Sequence, residues 1–510
     1  MTGRAKRSVL AYVTDIGGLT VLTVAGFVTT PIILHLTSAA LYGFWIIVLS
    51  ILSYLALTDF GLGVSLIRIV AGLTSGKDAG VLNRVISTAF VTYCAAGLLF
   101  FGLGIGLSPF IANWFKIPQA DVAQVVTAYQ VALFASAIFL PLSTFAGVVI
   151  GFQRMALTNT LGNLIRLISI GLSIALLYSG FGLVSLALSA LFTVVVDSLV
   201  NYFYARRLFP QLRIRPSLVN RTDFVQLVSF GVYFQGGRIA NTVALSTDSI
   251  VISAKMGVAQ VAPYAFMSKL AVLFSTTIAS KLPTAVFPAL SQMFAAQEKG
   301  KIQRIFIRLA WYSVRMAVVA GVFLAVTNRQ FVSLWVGPQY YRGPVLNTVF
   351  VFWVLQDTLY RGTLAIVYAS GDLRDWAVVS IAEAVINLTT SLLLVGPLGL
   401  VGVALGTSIG KTLTTAWYIP YWICRKTDLP VLTFLYKGIL YPALRSLPGV
   451  ILVILSAILF PQNWGWLWIV LVGLVSVGGN LIFFEVIHLF RPSNESWSNR
   501  LRQLFDLPKD

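Results

Sequence analysis

Apolar residues dominate this chain in runs of about 20, separated by short polar connections. An α-helix needs a run of about that length to cross the hydrocarbon core of a bilayer. The pattern predicts fourteen membrane-spanning helices, at residues 9–34, 41–67, 85–112, 122–150, 158–178, 183–205, 224–252, 259–290, 307–336, 345–369, 376–395, 399–423, 434–460 and 464–489. The longest polar connection between them is 206–223, so no extramembrane domain is expected.

The two halves of the chain repeat each other. Tyr42-Gly43-Phe44 at the start of span 2 recurs 222 positions later as Tyr264-Ala265-Phe266, at the start of span 8. The motif at 182–188, Gly-Leu-Val-Ser-Leu-Ala-Leu, recurs 217 positions later at 399–405 as Gly-Leu-Val-Gly-Val-Ala-Leu. Because six helices separate the copies, both insert in the same direction and are related by an axis along the membrane normal.

These observations predict an all-α, polytopic membrane protein with two six-helix lobes and two additional helices. The predicted divisions are a first lobe, an inter-lobe linker, a second lobe, two further spans and an amphipathic tail, at residues 1–205, 206–223, 224–425, 426–490 and 491–510.

The charge composition excludes a soluble protein and a nucleic-acid-binding protein. Only 10% of residues are charged and 58% are hydrophobic, whereas a soluble protein has about 25% charged residues. The net charge of +19 is not gathered into one domain, so no nucleic-acid partner is expected.

Of the 36 lysines and arginines, 23 fall on the side of the N-terminus and 4 on the opposite side. Positive charge concentrates on the cytoplasmic side, which predicts an inner or plasma membrane protein with both termini in the cytoplasm.

Several charges interrupt the apolar runs. Spans 7 and 8 contain Arg238, Asp248, Lys269 and Lys281, and spans 1 and 2 contain Asp15 and Asp59. A charge in a membrane helix is costly and usually faces a bundle interior or an aqueous path. We therefore expect a polar cavity between spans 1, 2, 7 and 8. The alternative is that these cations pair with the acids in buried salt bridges.

Other charges inside spans predict structural pairs. Asp357 and Arg361 are four residues apart on one helical face and predict a self-contained ion pair. Arg166 and Glu383 occupy neighbouring sites in the repeated spans 5 and 11. They are candidates for pairing between the lobes, and the alternative is that they pair with no residue that the sequence identifies. The sequence assigns no partner to Asp197, Arg315, Lys411 and Glu485.

Two segments resemble a known family. They are Leu57-Thr58-Asp59-Phe60-Gly61-Leu62-Gly63-Val64-Ser65-Leu66-Ile67-Arg68, and the region from Asp248-Ser249-Ile250-Val251-Ile252 through Gly257, Tyr264 and Lys269-Leu270 to Phe287-Pro288-Ala289-Leu290-Ser291. Together they resemble Wzx-type polysaccharide flippases of the multidrug/oligosaccharidyl-lipid/polysaccharide exporter superfamily. The resemblance implies a central cavity, alternating access, and transfer of a polyprenyl-pyrophosphate-linked oligosaccharide from the cytoplasmic to the outer leaflet.

The chemistry of the cavity residues agrees with an anionic substrate. Arginine and lysine offer charge-assisted hydrogen bonds to phosphate oxygens. The substrate-binding candidates are Arg238, Lys281 and Lys269, with Arg68 at the cytoplasmic mouth. The candidates for ion coupling or for cavity acids are Asp59, Asp15 and Asp248. Membrane lipid is an expected partner, and a glycan polymerase or assembly protein is a candidate partner.

Two other functions compete with this interpretation. A membrane glycan polymerase or ligase would need catalytic groups on a large outer loop, and the outer connections are short. The sequence shows no phosphate-binding glycine loop or metal-ligand cluster, so we predict no enzyme activity, metal or cofactor. A multidrug exporter of the same superfamily would favour an acidic cavity, whereas spans 7 and 8 have surplus positive charge.

Overall fold

The computed structural model describes residues 3–55, 61–73, 79–115 and 117–489. The secondary-structure elements in these ranges are α-helices, with short 3-10 and π-helices between some of them. The first half contains α1 (Gly3–Leu36), α2 (Ala39–Leu55), α3 (Leu62–Leu73), α4 (Ala79–Trp114), α5 (Val122–Gly151), α6 (Met155–Tyr178) and α7 (Val184–Leu208). The second half contains α8 (Arg221–Met256), α9 (Val261–Val272), α10 (Lys281–Ala295), α11 (Lys299–Trp335), α12 (Pro344–Ser370), α13 (Arg374–Leu398), α14 (Leu400–Leu413) and α15 (Thr415–Thr427). They are followed by α16 (Val431–Phe434), α17 (Tyr441–Arg445), α18 (Leu447–Leu459) and α19 (Trp466–Leu489).

The fold is that of a polytopic membrane protein, as predicted. Within the described ranges, nine helices are long and apolar enough to cross a membrane. Large apolar side chains stand on the outside of the bundle, for example Leu98 at 74% exposure and Leu393 at 69%. Such a surface suits contact with lipid and would be costly in water. The count of fourteen spans stays a prediction, because several predicted spans are not continuous helices.

Four predicted spans contain breaks that hydropathy does not reveal. In span 2, Gly61 has φ +72°, outside the helical region, and α3 begins directly after it. Span 8 contains a π-helical turn at Leu273–Ala279 between α9 and α10. Span 12 breaks at Thr414, whose backbone leaves the helical region at φ −128° and ψ −96°. Span 13 has a π-helical turn at Leu435–Leu440, and α17 ends at Arg445 before α18 begins at Leu447. Pro448 lies in the first turn of α18, where a helix tolerates proline because the missing N–H has no partner there.

Helices α13 and α14 pack unusually closely because glycines line their interface. Gly402, Gly406 and Gly410 recur every four residues on α14 and face α13. A Cβ atom at Gly406 would lie 2.2 Å from the Ser391 Oγ, and one at Gly402 would lie 2.1 Å from the Leu394 carbonyl oxygen. Small residues allow two membrane helices to approach in this way, so the stripe fixes the relative position of α13 and α14.

The two halves touch along α2 and α8. The Ser53 and Ser246 hydroxyl oxygens are 2.8 Å apart, and the Tyr54 hydroxyl oxygen lies 2.7 Å from the Thr247 Oγ1. Near the α1–α2 connection a set of aromatic rings joins the halves. We call this set the aromatic seal, and it consists of Phe27, Tyr42, Phe266, Phe331, Trp335 and Tyr340.

Within the aromatic seal, a hydrogen bond adds to the ring contacts. The Trp335 Nε1 donates to the Phe27 carbonyl oxygen at 2.7 Å. Phe266 stacks on Tyr42 and meets the Trp335 ring edge-on. The Phe266–Tyr42 stack and the Trp335–Phe27 hydrogen bond each bring helices of opposite halves together, so this end of the bundle is closed.

At the other end, the connection between the halves packs on α4. The Asn83 Nδ2 donates to the Gln211 carbonyl oxygen at 2.9 Å, and the Arg213 amide donates to the Asn83 Oδ1 at 2.8 Å. Arg84 forms an ion pair with Asp223 at 2.6 Å. The predicted linker 206–223 is therefore an ordered segment, with α7 extending to Leu208 and α8 beginning at Arg221.

Candidate functional site

Three of the predicted site residues fall outside what the structure describes. Asp59 lies between the described ranges. Arg238 belongs to α8 and Lys281 to α10, but the positions of their side chains are outside the described part of the chain. Their roles remain predictions from the sequence.

Three other candidates lie on separate helices. Lys269 on α9 is partly buried, and its Nζ lies 5.9 Å from the centre of the Phe27 ring across the inter-lobe contact. Asp15 is partly buried on α1, and Arg68 is exposed on α3. Lys269 thus lies beside the aromatic seal, where a cation–π contact contributes to its stabilisation.

Asp248 lies inside the second lobe. Its side chain is 7% exposed and its neighbours are hydroxyl groups. The Tyr264 hydroxyl donates to the Asp248 Oδ2 at 2.6 Å, and the Thr407 Oγ1 lies 3.1 Å from both carboxylate oxygens. The Thr407 Oγ1 also lies 3.3 Å from the Asn387 Oδ1. Helices α8, α9, α13 and α14 therefore converge on this carboxylate.

A cavity of about 110 Å³ adjoins Asp248. Its lining residues are Asp248, Ser249, Tyr264, Ala265, Ser268, Val272, Phe350, Trp353, Ala404 and Thr407. The Trp353 Nε1 is buried and has no hydrogen-bond partner among the described residues. A cavity needs about 10–15 Å³ by this measure to hold one water molecule, so there is room here for water or a small cation. The cavity combines a carboxylate with neutral oxygen ligands, which suits a proton or a small cation.

The same lobe contains a second set of buried polar side chains, which we call the charge cluster. It consists of Asp357 and Arg361 on α12, Glu383 on α13 and Lys411 on α14. The Arg361 Nε is 2.6 Å from the Asp357 Oδ2, as the sequence predicts for that pair. The Lys411 Nζ is 3.2 Å from the Asp357 Oδ1 and 3.0 Å from the Glu383 Oε1. The pair is therefore not self-contained, because Lys411 joins it to a second acid.

The suggested pairing of Arg166 with Glu383 is wrong. Glu383 binds Lys411 and accepts a hydrogen bond from the Thr415 hydroxyl, both within its own lobe. Arg166 interacts electrostatically with Asp197 in the first lobe. Arg166 and Glu383 carry opposite charges, and each interacts with an oppositely charged residue on the next helix of its own lobe. The partner of Arg166 is Asp197, and the partner of Glu383 is Lys411.

Sequence reasoning missed the neutral members of the carboxylate site. Tyr264 appears in the repeated motif, but nothing in that motif connects it with Asp248. Thr407 and Trp353 carried no signal, because hydroxyls and aromatic rings are tolerated at many positions of membrane helices. Lys411 and Glu383 were visible as charges inside spans, and only the packing of α12, α13 and α14 reveals that they meet.

Comparison with known proteins gives relatives of similar length. A curated relative, the "Uncharacterized membrane protein EpsK" of Bacillus subtilis, is 20% identical over 81% of this chain and 82% of its own. The "Putative O-antigen transporter" of Shigella flexneri is 22% identical over 72% of this chain and 86% of its own.

Solved structures share the fold. "Lipid II flippase MurJ, inward closed conformation" has a TM-score of 0.65 at 15% identity, covering 95% of this chain and 99% of that one. The "Inward-facing conformation of a multidrug resistance MATE family transporter of the MOP superfamily" has a TM-score of 0.59 at 19% identity, covering 84% and 95%. The family described as "Polysaccharide biosynthesis protein" matches residues 32–342, more than half of the sequence. The chain belongs to that family.

Proposed function

We propose that this chain is a flippase that moves a polyprenyl-pyrophosphate-linked oligosaccharide across the cell membrane. The observation that carries the proposal is the match of residues 32–342 to the polysaccharide biosynthesis family, in a chain that folds as a polytopic membrane bundle. A relative named as a putative O-antigen transporter and a fold shared with a lipid II flippase support it.

The direction of transport follows from the proposed orientation. The excess of lysine and arginine in connections on the side of the N-terminus supports cytoplasmic termini. The aromatic seal then closes the outer end of the cavity, and the substrate enters from the cytoplasmic side. Transport requires the seal to open while the cytoplasmic end closes.

The proposed substrate contacts are cationic. Arg238 follows Gly236-Gly237 near the middle of α8, where absent side chains leave room for a head group. Arg238 and Lys281 are proposed to bind the pyrophosphate, and Lys269 to attract it near the aromatic seal. Arg68 is proposed to act at the cytoplasmic entrance.

Asp248 is the proposed site of ion coupling. Among the described residues, the groups that bind its carboxylate are hydroxyls, so its negative charge is available to a proton or sodium ion. Asp15 and Asp59 remain further candidates from the sequence. Binding of a cation would remove a buried charge and so favour a different packing of the second lobe.

A transporter agrees better with the sequence than the competing functions. A drug exporter shares the fold, but its cationic substrates do not suit spans that carry Arg238, Lys269 and Lys281. A polymerase or ligase would need a large outer segment for catalysis. Membrane lipid and a glycan polymerase or assembly protein are proposed partners.

The proposal can be tested by deleting the gene and identifying the lipid-linked glycan that accumulates. A flippase defect should leave the complete oligosaccharide on its polyprenyl carrier in the inner leaflet. Loss of a polymerase or ligase would instead leave it accessible from outside. The second result, or accumulation of no lipid-linked glycan, would contradict the proposal.

A further inference from the structure

The charge cluster lies one helical turn from the Asp248 cavity on each of three helices. On α12, Trp353 lines the cavity and Asp357 follows four residues later. On α14, Thr407 touches Asp248 and Lys411 is four residues further on. On α13, Asn387 lies beside Thr407 and Glu383 is four residues away. Four residues of helix rise about 6 Å, so the cluster forms a second layer below the cavity.

The α13–α14 interface does not need this cluster for its packing. These two helices already pack closely because Gly402, Gly406 and Gly410 on α14 have no side chains that would keep α13 away. What the cluster adds is a tie to α12. The Lys411 Nζ binds Asp357 of α12 and Glu383 of α13 at the same time, and it lies 4.4 Å from the centre of the Tyr360 ring on α12.

The first lobe is built without such a cluster. The repeat places Ala137 and Pro141 at the positions of Asp357 and Arg361, 220 residues earlier, and Val194 at the position of Lys411, 217 residues earlier. Gly26 occupies the position of Asp248, 222 residues earlier. The position matching Glu383 carries Arg166, whose charge is opposite. The buried carboxylate and three of the four cluster residues thus occur in the second lobe and have uncharged counterparts at the matching positions of the first.

Burying the cluster carries a cost. The side chains of Asp357, Lys411 and Glu383 are 2%, 4% and 9% exposed. Removing such charges from water often costs as much as their mutual attraction returns. A fold that can be built without the cluster therefore gains little stability from it. The cluster and the Asp248 site share three helices, α12, α13 and α14. The cluster is therefore placed to affect the geometry of the Asp248 site.

We propose that Lys411 is a positioning residue for the Asp248 site, acting as a tethered cation that clamps α12 onto α13 and α14. This holds Trp353 and Thr407, which both line the cavity, at the spacing that a bound cation needs. The inference rests on the proposed function, in which a cation at Asp248 drives transport. Lys411 itself does not contact Asp248 through any described interaction.

The test uses the double variant Lys411→Met/Glu383→Gln in the full-length protein. It removes the clamp while keeping the buried charge balanced, since Asp357 remains paired with Arg361. The single variant Lys411→Met would leave an uncompensated acid and is expected to fold poorly. The matched control is Lys426→Met/Asp372→Asn, which removes an exposed lysine–acid pair of the same lobe.

The measurement is the flipping rate in proteoliposomes as a function of Na⁺ concentration and, in separate reactions, of proton concentration. For whichever cation saturates wild-type transport, the double variant should need on the order of tenfold more for half-saturation. Its maximal rate at saturating cation should stay close to that of the wild type. Lys411→Arg, which keeps a cation at the clamp, should recover much of the wild-type half-saturation.

The outcomes separate this inference from the proposed function. An unchanged half-saturation in a folded double variant would overturn the role of Lys411 while leaving cation-driven flipping intact. An equal shift in the exposed-pair control would also overturn it, because the effect would then not belong to the clamp. A wild-type protein whose flipping is independent of both cations would refute the proposed coupling itself.

Discussion

A carboxylate inside a membrane protein is stable only when other polar groups replace the water that it has lost. Asp248 and Asp357 meet this requirement in different ways. Asp357 is bound by Arg361 and Lys411, so its charge is neutralised permanently. Asp248 is bound by the hydroxyls of Tyr264 and Thr407, which satisfy its oxygens and leave its charge unbalanced. This difference separates a structural acid from one that can exchange a cation.

The first prediction concerns Asp248. Asn in its place keeps the shape and accepts the Tyr264 hydroxyl, but it has no charge with which to bind a cation. Asp248→Asn should fold, and its flipping rate should lose its dependence on the cation gradient. Flipping assays in proteoliposomes with and without an imposed gradient measure this. Asp197→Asn, a half-buried acid of the first lobe, serves as control, and wild-type gradient dependence in Asp248→Asn would contradict the assignment.

The second prediction concerns Arg238, whose role rests on the sequence. A lysine keeps the charge but loses the planar fork of five donors, so Arg238→Lys should retain partial flipping and Arg238→Ala very little. Flipping of lipid-linked oligosaccharide, normalised to protein level, measures this. If Arg238 were only the partner of an acid, double variants that also replace Asp15, Asp59 or Asp248 should regain activity, since the uncompensated charge is gone.

At this scale the sequence reveals charges better than their partners. Asp248 and Lys411 could be singled out because an ionisable residue in an apolar span is conspicuous. Tyr264 and Thr407 could not, because their hydroxyls resemble many others in membrane helices. The pairing of Lys411 with two acids depends on three helices meeting, which no spacing along the chain encodes.

Helices were predicted well where a single hydrophobic run forms one continuous element, such as α5, α6 and α13. They were predicted less well where the run contains a break, because hydropathy measures polarity and not backbone geometry. Thr414 breaks span 12 although its neighbours are ordinary helix residues. The internal repeat was visible in part because its copies at 182–188 and 399–405 both begin with a glycine, and Gly182 and Gly399 both have a positive φ, which favours glycine.

A third prediction follows for the α13–α14 contact. Gly406→Ala places a Cβ atom 2.2 Å from the Ser391 Oγ and 2.7 Å from the Ser391 backbone nitrogen. The helices must separate to relieve this overlap, at a cost of about 1–3 kcal/mol. Thermal unfolding of the purified protein should occur at a clearly lower temperature. Gly396→Ala on α13 is the matched control, since its Cβ would meet nothing within 4 Å; equal melting of both variants would contradict the tight contact.

The whole molecule is two lobes joined on one side by contacts that transport must break. The pairs Ser53–Ser246, Tyr54–Thr247, Phe27–Trp335 and Tyr42–Phe266 each join α1 or α2 to the second lobe. These contacts are small and mostly neutral, so their separation costs little compared with separating a buried ion pair. The arrangement therefore suits a protein that alternates between two packings of its lobes.

A fourth prediction tests that alternation. In a Ser53→Cys/Ser246→Cys variant, oxidation should link the lobes, since the native hydroxyl oxygens are 2.8 Å apart. The linked protein should bind substrate but not flip it, and a reductant should restore flipping. The single variant Ser53→Cys controls for oxidation of the native Cys94 and Cys424. Full transport by the linked protein would show that the lobes need not part at this contact.

The central claim is that this chain moves a lipid-linked oligosaccharide between leaflets, and reconstitution tests it most directly. Purified protein in sealed vesicles would receive a fluorescent polyprenyl-pyrophosphate oligosaccharide in both leaflets. A membrane-impermeant reagent would then report the fraction that reaches the outer leaflet over time. Wild-type protein is expected to make the whole pool accessible, faster under a cation gradient, and Arg238→Ala is expected to do so far more slowly. Accessibility no greater than in protein-free vesicles would contradict flipping by this chain.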